Sequence, residues 1–169
     1  MGNEKTNPIK VVENFVVKKS GILDFDGMFK AIPEWMDFYK YSPMEKSHTE
    51  KKGPTGIYIE SSWKGSRKIT EYVKFIITVN IFLRDLTDVA VQDDKGNQVK
   101  RQKGRVELVF NAKMQKNYKK NISEEKNSFG NFLKSIYEKY IIKDKLEKYE
   151  DKLYDETTDF IETLKSYFY

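Results

Sequence analysis

Residues 71–85, EYVKFIITVNIFLRD, alternate between two kinds of position. Every second residue from Val73 to Leu83 is apolar, whereas the positions between them mix polar side chains such as Lys74 and Asn80 with apolar ones. A period of two over this length predicts a β-strand with one face turned towards a core. Another part of the chain must therefore cover this apolar face.

The segments around this strand predict an antiparallel sheet. Residues 9–18 are rich in β-branched and aromatic side chains, and residues 57–69 and 106–114 alternate in the same way. Residues 93–97, DDKGN, have the side chains that a hairpin turn requires. Strands that are apolar on one side and mostly polar on the other are typical of an antiparallel sheet with one face in water.

The residues between the first two predicted strands indicate helix and then loop. Apolar side chains recur there every three or four positions, which is a helical spacing. Pro33 cannot lie deep inside a helix but is favoured at the first helical position. The pattern therefore predicts two short helices, at about 24–31 and about 33–40, that meet at a bend. Residues 43–56 are interpreted as a charged loop, with a strand beginning near Lys46 as the alternative.

The C-terminal quarter of the chain predicts the cover for the sheet. Residues 128–169 keep a helical spacing of apolar side chains without a proline, and the phase of the spacing slips between Ile141 and Leu146. The predicted fold is α+β: an antiparallel sheet, two short helices after strand 1, and a long C-terminal helix, kinked or divided, packed on the sheet. The residues expected to be largely buried are Phe75, Ile77, Val79, Ile81, Leu108, Phe110, Ile136 and Leu153.

Composition indicates a single domain that spans residues 1–169. Apolar residues make up 38% and charged residues 34% of the chain, and all four prolines lie in its first third. No Ser/Gly-rich linker or repeat divides it. The absence of cysteine excludes disulfides, thiolate zinc sites and a cysteine nucleophile. Without an apolar run of about 18 residues, no membrane span is expected, and the expected location is the cytoplasm.

Little in the sequence predicts catalysis. His48 is the only histidine, so it cannot be half of a two-histidine metal site. Glu147, Asp151 and Asp155 recur at four-residue spacing, but carboxylate metal sites on helices normally add a histidine, and a solvated acidic face is the interpretation. No P-loop, dinucleotide fingerprint or nucleophile elbow is present. We therefore expect no catalytic residue, metal or cofactor, and an enzyme ranks third among the hypotheses.

The order of the predicted elements resembles the helix-grip architecture of START and Bet v1-like (SRPBCC) domains. The segments that carry the resemblance are AIPEW at 31–35, VKFIITVNIFL at 73–83 and LYDETTDFIETLKSYF at 153–168. The resemblance covers nearly the whole chain but consists of element order, and GPTG at 53–56 is a poor substitute for the glycine-rich loop of plant Bet v1-like proteins. It implies a curved sheet that wraps a long terminal helix around an apolar cavity.

The first functional hypothesis is a non-enzymatic binding protein that holds an apolar small molecule or a partner segment between sheet and C-terminal helix. Aromatic residues reach 14% of the chain, and their rings offer large apolar area at low entropic cost. The candidate cavity-lining residues are Trp35, Trp63, Phe75, Phe110 and Tyr137. The alternative is an α+β sandwich in which these rings fill a solid core.

The second hypothesis is a basic accessory or structural protein of a larger assembly, contacting nucleic acid through residues 100–120. That segment has eight basic residues and one acidic residue, a net charge of +7 against +5 for the whole chain. Clustered cations of this kind are suited to phosphate contacts, although lysines also keep sheet edges from pairing with other chains. The candidate nucleic-acid-binding residues are Lys113, Lys116, Lys119 and Lys120.

Overall fold

The protein is described from a computed structural model. The structure describes residues 8–116 and 143–169, together with residues 132, 135, 136 and 139. The elements, in chain order, are β1 (Ile9–Leu23), α1 (Phe25–Phe38), β2 (Ser42–Gly53), β3 (Gly56–Lys68), β4 (Val73–Gln92), β5 (Gln98–Lys116) and α2 (Lys143–Lys165).

The five strands form one sheet in the order β1-β5-β4-β3-β2, and every neighbouring pair is antiparallel. The predicted antiparallel sheet is therefore confirmed. The strand that alternates most clearly in sequence, β4, lies at the centre, and β1 and β2 form the two edges. The first strand, β1, pairs with the last, β5, and lies at one edge of the sheet.

The hairpin between β4 and β5 has the predicted turn. The Asp93 carboxylate accepts hydrogen bonds from the main-chain N–H groups of Lys95 and Asn97, at 2.9 and 2.8 Å. Gly96 has a φ of 83°, in the left-handed region that glycine adopts without strain. Side-chain capping and a permissive glycine thus set this turn, as the sequence DDKGN predicts.

The prediction of two short helices after strand 1 was wrong, because α1 is one helix that contains Pro33. Proline in a helix interior removes one hydrogen bond and costs about 3 kcal/mol. Because α1 continues through Pro33, four large side chains lie in one buried stripe. Burial of each contributes roughly 1.5–3 kcal/mol, and the sum outweighs the cost of the proline. These buried side chains are Met28, Ile32, Trp35 and Met36.

Both described helices cover the apolar face of the sheet. Phe160 of α2 stacks on Trp35 of α1, with ring centroids 4.5 Å apart, and meets the edge of Phe110 of β5 at 5.7 Å. Of the eight residues expected to be buried, Ile136 is only partly buried and the other seven are fully buried. The expected kink of the C-terminal helix begins at Ile141, which lies outside the described residues.

Main-chain hydrogen bonds fix the end of the chain to the sheet. The N–H of Tyr169 donates to the carbonyl of Ile22, and the N–H of Asp24 donates to the carbonyl of Tyr167, both at 2.9 Å. These bonds hold the C-terminal end of α2 at the point where β1 passes into α1. The Asp24 side chain also caps α1, since it accepts from the N–H of Gly27.

Residues 43–56, interpreted as a charged loop, instead form β2 and its turn into β3. Ser42 pairs with Ser66, and the pairing continues to Gly53 opposite Gly56. All twelve residues of β2 are exposed, so this edge strand has no apolar alternation that a sequence pattern could reveal. Its main-chain bonds to β3 hold it in place.

Candidate functional site

The two faces of the sheet differ in what covers them. The face that bears Phe75 and Phe110 packs against α2 through Tyr149 and Phe160. We call the opposite face of the sheet the open face. It carries the alternate residues of each strand, those whose side chains point away from the two helices. Both described helices lie on the far side of the sheet from it, and it carries lysines and other polar side chains together with the apolar Ile76 and Phe82.

Four lysines from four neighbouring strands meet on the open face, and we call them the lysine cluster. They are Lys46 of β2, Lys64 of β3, Lys74 of β4 and Lys113 of β5. Lys113 pairs with Ile76, which follows Lys74 on the same face of β4. Strand register, rather than proximity in sequence, therefore brings these ammonium groups together.

The lysine cluster is electrostatically frustrated. The pKa of Lys64 is lowered, first by partial burial and then by the positive charges of Lys46, Lys113 and Lys74. Lys46, Lys64 and Lys113 make no ion pair with any residue that the structure describes. Like charges held close together cost free energy, and an anion bound between them would recover it.

The rows beside the cluster are polar and already hydrogen-bonded. Ser62 donates to the side-chain oxygen of Asn80 at 2.7 Å, and the main-chain N–H of Asn14 donates to that of Asn111 at 2.8 Å. These bonds orient the two amide side chains on strands β4 and β5. The cluster is thus flanked by ordered polar side chains and by the apolar Ile76, which is 6% exposed and pairs with Lys113.

The structure places the four predicted nucleic-acid-binding lysines differently from one another. Lys113 belongs to the lysine cluster, whereas Lys116 pairs with Val73 on the helix-covered side of the sheet. Lys119 and Lys120 lie outside the described residues. The basic surface in the structure is therefore a patch formed by several strands and not a continuous segment of the sequence. Lys46, Lys64 and Lys74 were not predicted from the sequence because they are far apart in the chain.

The basic residues of the β4–β5 hairpin are largely paired with acids. Arg105 forms an ion pair and hydrogen bonds with Asp85, and Lys100 lies 3.0 Å from Asp88. Arg101 lies 3.7 Å from the Asp24 carboxylate. The net charge of the segment 100–120 therefore overstates the positive potential around the hairpin. Among the described residues, Lys46, Lys64 and Lys113 of the lysine cluster have no such acidic partner.

The predicted cavity-lining residues lie mainly in the core. Phe75 and Phe110 are fully buried, and Trp35 stacks on Phe160 and donates its indole N–H to Asp159 at 2.7 Å. Trp63 is partly buried on the same face of the sheet, and its indole N–H is buried without a partner. Tyr137, the fifth candidate, lies outside the described residues.

Clefts on the described part of the protein are superficial. Four of them have volumes between about 290 and 440 Å³ and are lined mainly by charged and polar side chains. Trp35, Trp63, Phe75 and Phe110 line none of these four clefts. The geometry therefore gives no support to the apolar cavity, which stays a prediction.

A buried ion pair joins α2 to the sheet and to the end of α1. Arg67 donates two hydrogen bonds to the Glu156 carboxylate, at 2.7 and 3.0 Å, and a third to the carbonyl of Tyr39. Tyr41 donates its hydroxyl to Glu156 at 2.5 Å, and burial and this carboxylate raise the pKa of the Tyr41 phenol. Every partner is satisfied from within the fold, so the arrangement is a structural clamp.

His48 lies in a small polar group that lacks the geometry of a catalytic triad. Its Nδ1 is 3.2 Å from Glu45, and the hydroxyl of Ser61 also donates to Glu45 rather than to the imidazole. Ser61 is 1% exposed, out of reach of a substrate. A serine whose proton points to the carboxylate cannot be activated by the histidine.

The acidic residues of α2 were interpreted as a solvated face, and Glu147, Asp151 and Asp155 are all exposed. Among the residues whose placement is described, no three histidine or carboxylate side chains are grouped in a way that could hold a metal ion. Within the same residues, no helix is long and apolar enough to span a bilayer.

Within residues 8–116 and 143–169, the fold and this surface define an α+β protein whose two described helices cover one sheet face and whose opposite face carries clustered lysines. No family model, no curated protein and no solved structure matches the chain. The resemblance to the helix-grip superfamily therefore stays a prediction from element order, and the functional argument depends on the chain's own residues.

Proposed function

We propose that the protein is a non-enzymatic binding module that holds the phosphate backbone of a nucleic acid on the open face of its sheet. The observation that carries the proposal is the lysine cluster, in which partial burial and then the positive charges of its neighbours lower the pKa of Lys64. Phosphate groups are the anions that lysine-rich surfaces contact most often in nucleic-acid recognition.

The size of the cluster suits a row of phosphates. Neighbouring strands lie about 4.8 Å apart, so four strands span about 14 Å. Each strand of a duplex carries one phosphate per roughly 3.4 Å of helix axis, so about four phosphates fall within that span. One lysine from each of β2, β3, β4 and β5 supplies a matching number of cations.

The chemistry of lysine indicates binding without base recognition. An ammonium group is a compact point charge, whereas the planar guanidinium fork of arginine reads base edges and phosphates through paired bonds. Two of the arginines near the hairpin, Arg101 and Arg105, are already paired with Asp24 and Asp85. The proposed module therefore holds the backbone and leaves sequence selection to other components of an assembly.

The hypothesis of an apolar ligand has less support. Three of its five candidate residues, Trp35, Phe75 and Phe110, are buried in the core. Trp35 and Phe110 both pack against Phe160 there. The unpartnered indole N–H of Trp63 is the one feature of the described core that a ligand would satisfy. That single donor does not define a pocket.

The test is a salt titration of binding to a labelled oligonucleotide. If about four phosphates are neutralised, affinity should fall on the order of 10²-fold between about 50 and 200 mM salt. Replacing Lys46, Lys64, Lys74 and Lys113 together with Gln should abolish this salt-dependent binding.

A matched control removes the same charge elsewhere. Lys143, Lys145, Lys148 and Lys152 are exposed on α2, and replacing them with Gln should leave most of the affinity intact. Equal losses in the two variants would show that net charge alone drives binding and would contradict the proposed surface. Absence of binding by the parent protein at 50 mM salt would overturn the proposal.

A further inference from the structure

A second basic feature lies at the end of the open face. A cleft of about 380 Å³ is lined by Lys40, Ser42, Ser66, Arg67, Lys68 and Lys74. Lys74 also belongs to the lysine cluster, so the cleft and the cluster adjoin at this residue. An anion that ends in the cleft can therefore extend along the cluster.

Lys40 occupies a backbone position where glycine is usual. The N–H of Tyr41 donates to the carbonyl of Met36 at 2.7 Å, and the N–H of Lys40 donates to that of Asp37 at 3.1 Å. These two bonds define the motif that ends many helices with a left-handed residue, and Lys40 has a φ of 65°. A side chain at this position is strained, and strained residues often mark functional sites.

Three other groups of the cleft, Ser42, Ser66 and Lys68, are available to a ligand within the described residues. Ser42 and Ser66 pair across β2 and β3, and neither hydroxyl has a hydrogen-bond partner within the described ranges 8–116 and 143–169. The ammonium group of Lys68 likewise makes no ion pair there. Arg67 is held by Glu156, so it forms part of the wall and adds little net charge.

We infer that the cleft binds a phosphate monoester, namely the terminal phosphate of the strand whose backbone lies on the lysine cluster. This inference rests on the proposed function. A monoester carries nearly two negative charges at neutral pH and three strong acceptor oxygens, whereas a backbone diester carries one charge. Two hydroxyls and the ammonium groups of Lys40 and Lys68 match that larger demand for donors.

A structural role is the competing explanation for Lys40. A cation just beyond a helix C-terminus interacts favourably with the helix dipole, and α1 has no basic residue in its last turn. The variant Lys40→Gly separates the two roles, because glycine adopts this backbone conformation without strain. We expect its melting temperature to equal or exceed that of the parent.

The experiment compares three oligonucleotides of one sequence, with a 5′-phosphate, a 3′-phosphate or hydroxyl groups at both ends. We expect one phosphorylated end to tighten binding about tenfold, as a few charge-assisted hydrogen bonds would. Lys40→Gly and Ser66→Ala should remove that preference while changing the affinity for the hydroxyl-ended strand less than about twofold. Millimolar inorganic phosphate should also suppress the preference, since it offers the same chemistry to the cleft.

The outcomes separate this inference from the proposed function. Salt-dependent binding with equal affinity for all three oligonucleotides would overturn the terminal-phosphate site and leave the lysine cluster standing. If Lys40→Gly keeps the preference for a phosphorylated end, the terminal phosphate binds outside the cleft, and this result would also overturn the terminal-phosphate site. No binding of any of the three would overturn the proposed function and this inference together.

Discussion

Lys113 on β5 contributes to lowering the pKa of Lys64 on β3, although 48 residues of chain and one whole strand lie between them. Both side chains lie on the open face because each occupies one of the alternate strand positions that point away from the helices. The protein retains this repulsion in its folded state. A surface that keeps mutually repelling cations is expected where an anion binds.

The first prediction is that Lys64→Met stabilises the protein at neutral pH and low salt. The lowered pKa means that the folded protein holds this proton less tightly than the unfolded chain does. The charged form therefore costs stability at pH values below the lowered pKa, and the cost disappears as pH rises towards 10.5. Methionine keeps an unbranched apolar stem and removes the charge.

Urea denaturation at pH 7 should show a higher midpoint for Lys64→Met, with a difference that shrinks above about 0.1 M salt, where charges about 10 Å apart are screened. Lys51→Met, on the exposed edge strand β2, is the control and should change little. The same Lys64 variant should bind the oligonucleotide more weakly. Lower stability with unchanged binding would contradict the account of the cluster.

The second prediction concerns the clamp between α2 and the sheet. Glu156→Gln leaves the Arg67 guanidinium, whose side chain is 14% exposed, without its counter-ion. Removing one partner of a buried pair typically costs 3–5 kcal/mol, so we expect about that loss in the free energy of unfolding. Glu162→Gln breaks an exposed pair with Lys165 and should cost less than about 1 kcal/mol. Similar small losses in both variants would show that the clamp contributes little.

The third prediction follows from the proline inside α1. Pro33→Ala restores a main-chain donor within a continuous helix and should stabilise the protein by about 1–2 kcal/mol, less than the full cost of an interior proline because the unfolded chain gains freedom. Lys30→Ala, an exposed change in the same helix, is the control and should stay within about 0.5 kcal/mol. A loss of stability in Pro33→Ala would mean that the proline ring packs favourably.

The parts of the fold that the sequence predicts are those with a strong local signal. The central strand β4 has one buried face along most of its length, and Asp93 and Gly96 set its turn through contacts within five residues. Strand β2 has no buried face, so only pairing with β3 reveals it. The division of α1 at Pro33 was wrong because tertiary burial outweighed a local preference.

The candidate site was predicted less well, because charge that is near in sequence differs from charge that is near in space. Arg105 and Lys100 contributed to the basic segment, but register pairs them with Asp85 and Asp88. Nothing in its own strand singles out Lys64, which lies between Trp63 and Gly65 and is followed by Arg67 and Lys68. Its significance comes from neighbours on three other strands, which only the register defines.

The last prediction separates a filled core from a ligand cavity. Phe110 is fully buried against Phe160, so the parent should show no change in melting temperature with benzene or other small apolar molecules. Phe110→Ala should cost about 3–5 kcal/mol and leave a dry cavity, and benzene should then raise its melting temperature by binding the folded state. Phe110→Leu, a milder change, is the second variant should the alanine protein fail to fold. A response of the parent itself would show that space for an apolar ligand exists between sheet and helix, and would favour the binding of such a ligand over that of nucleic acid.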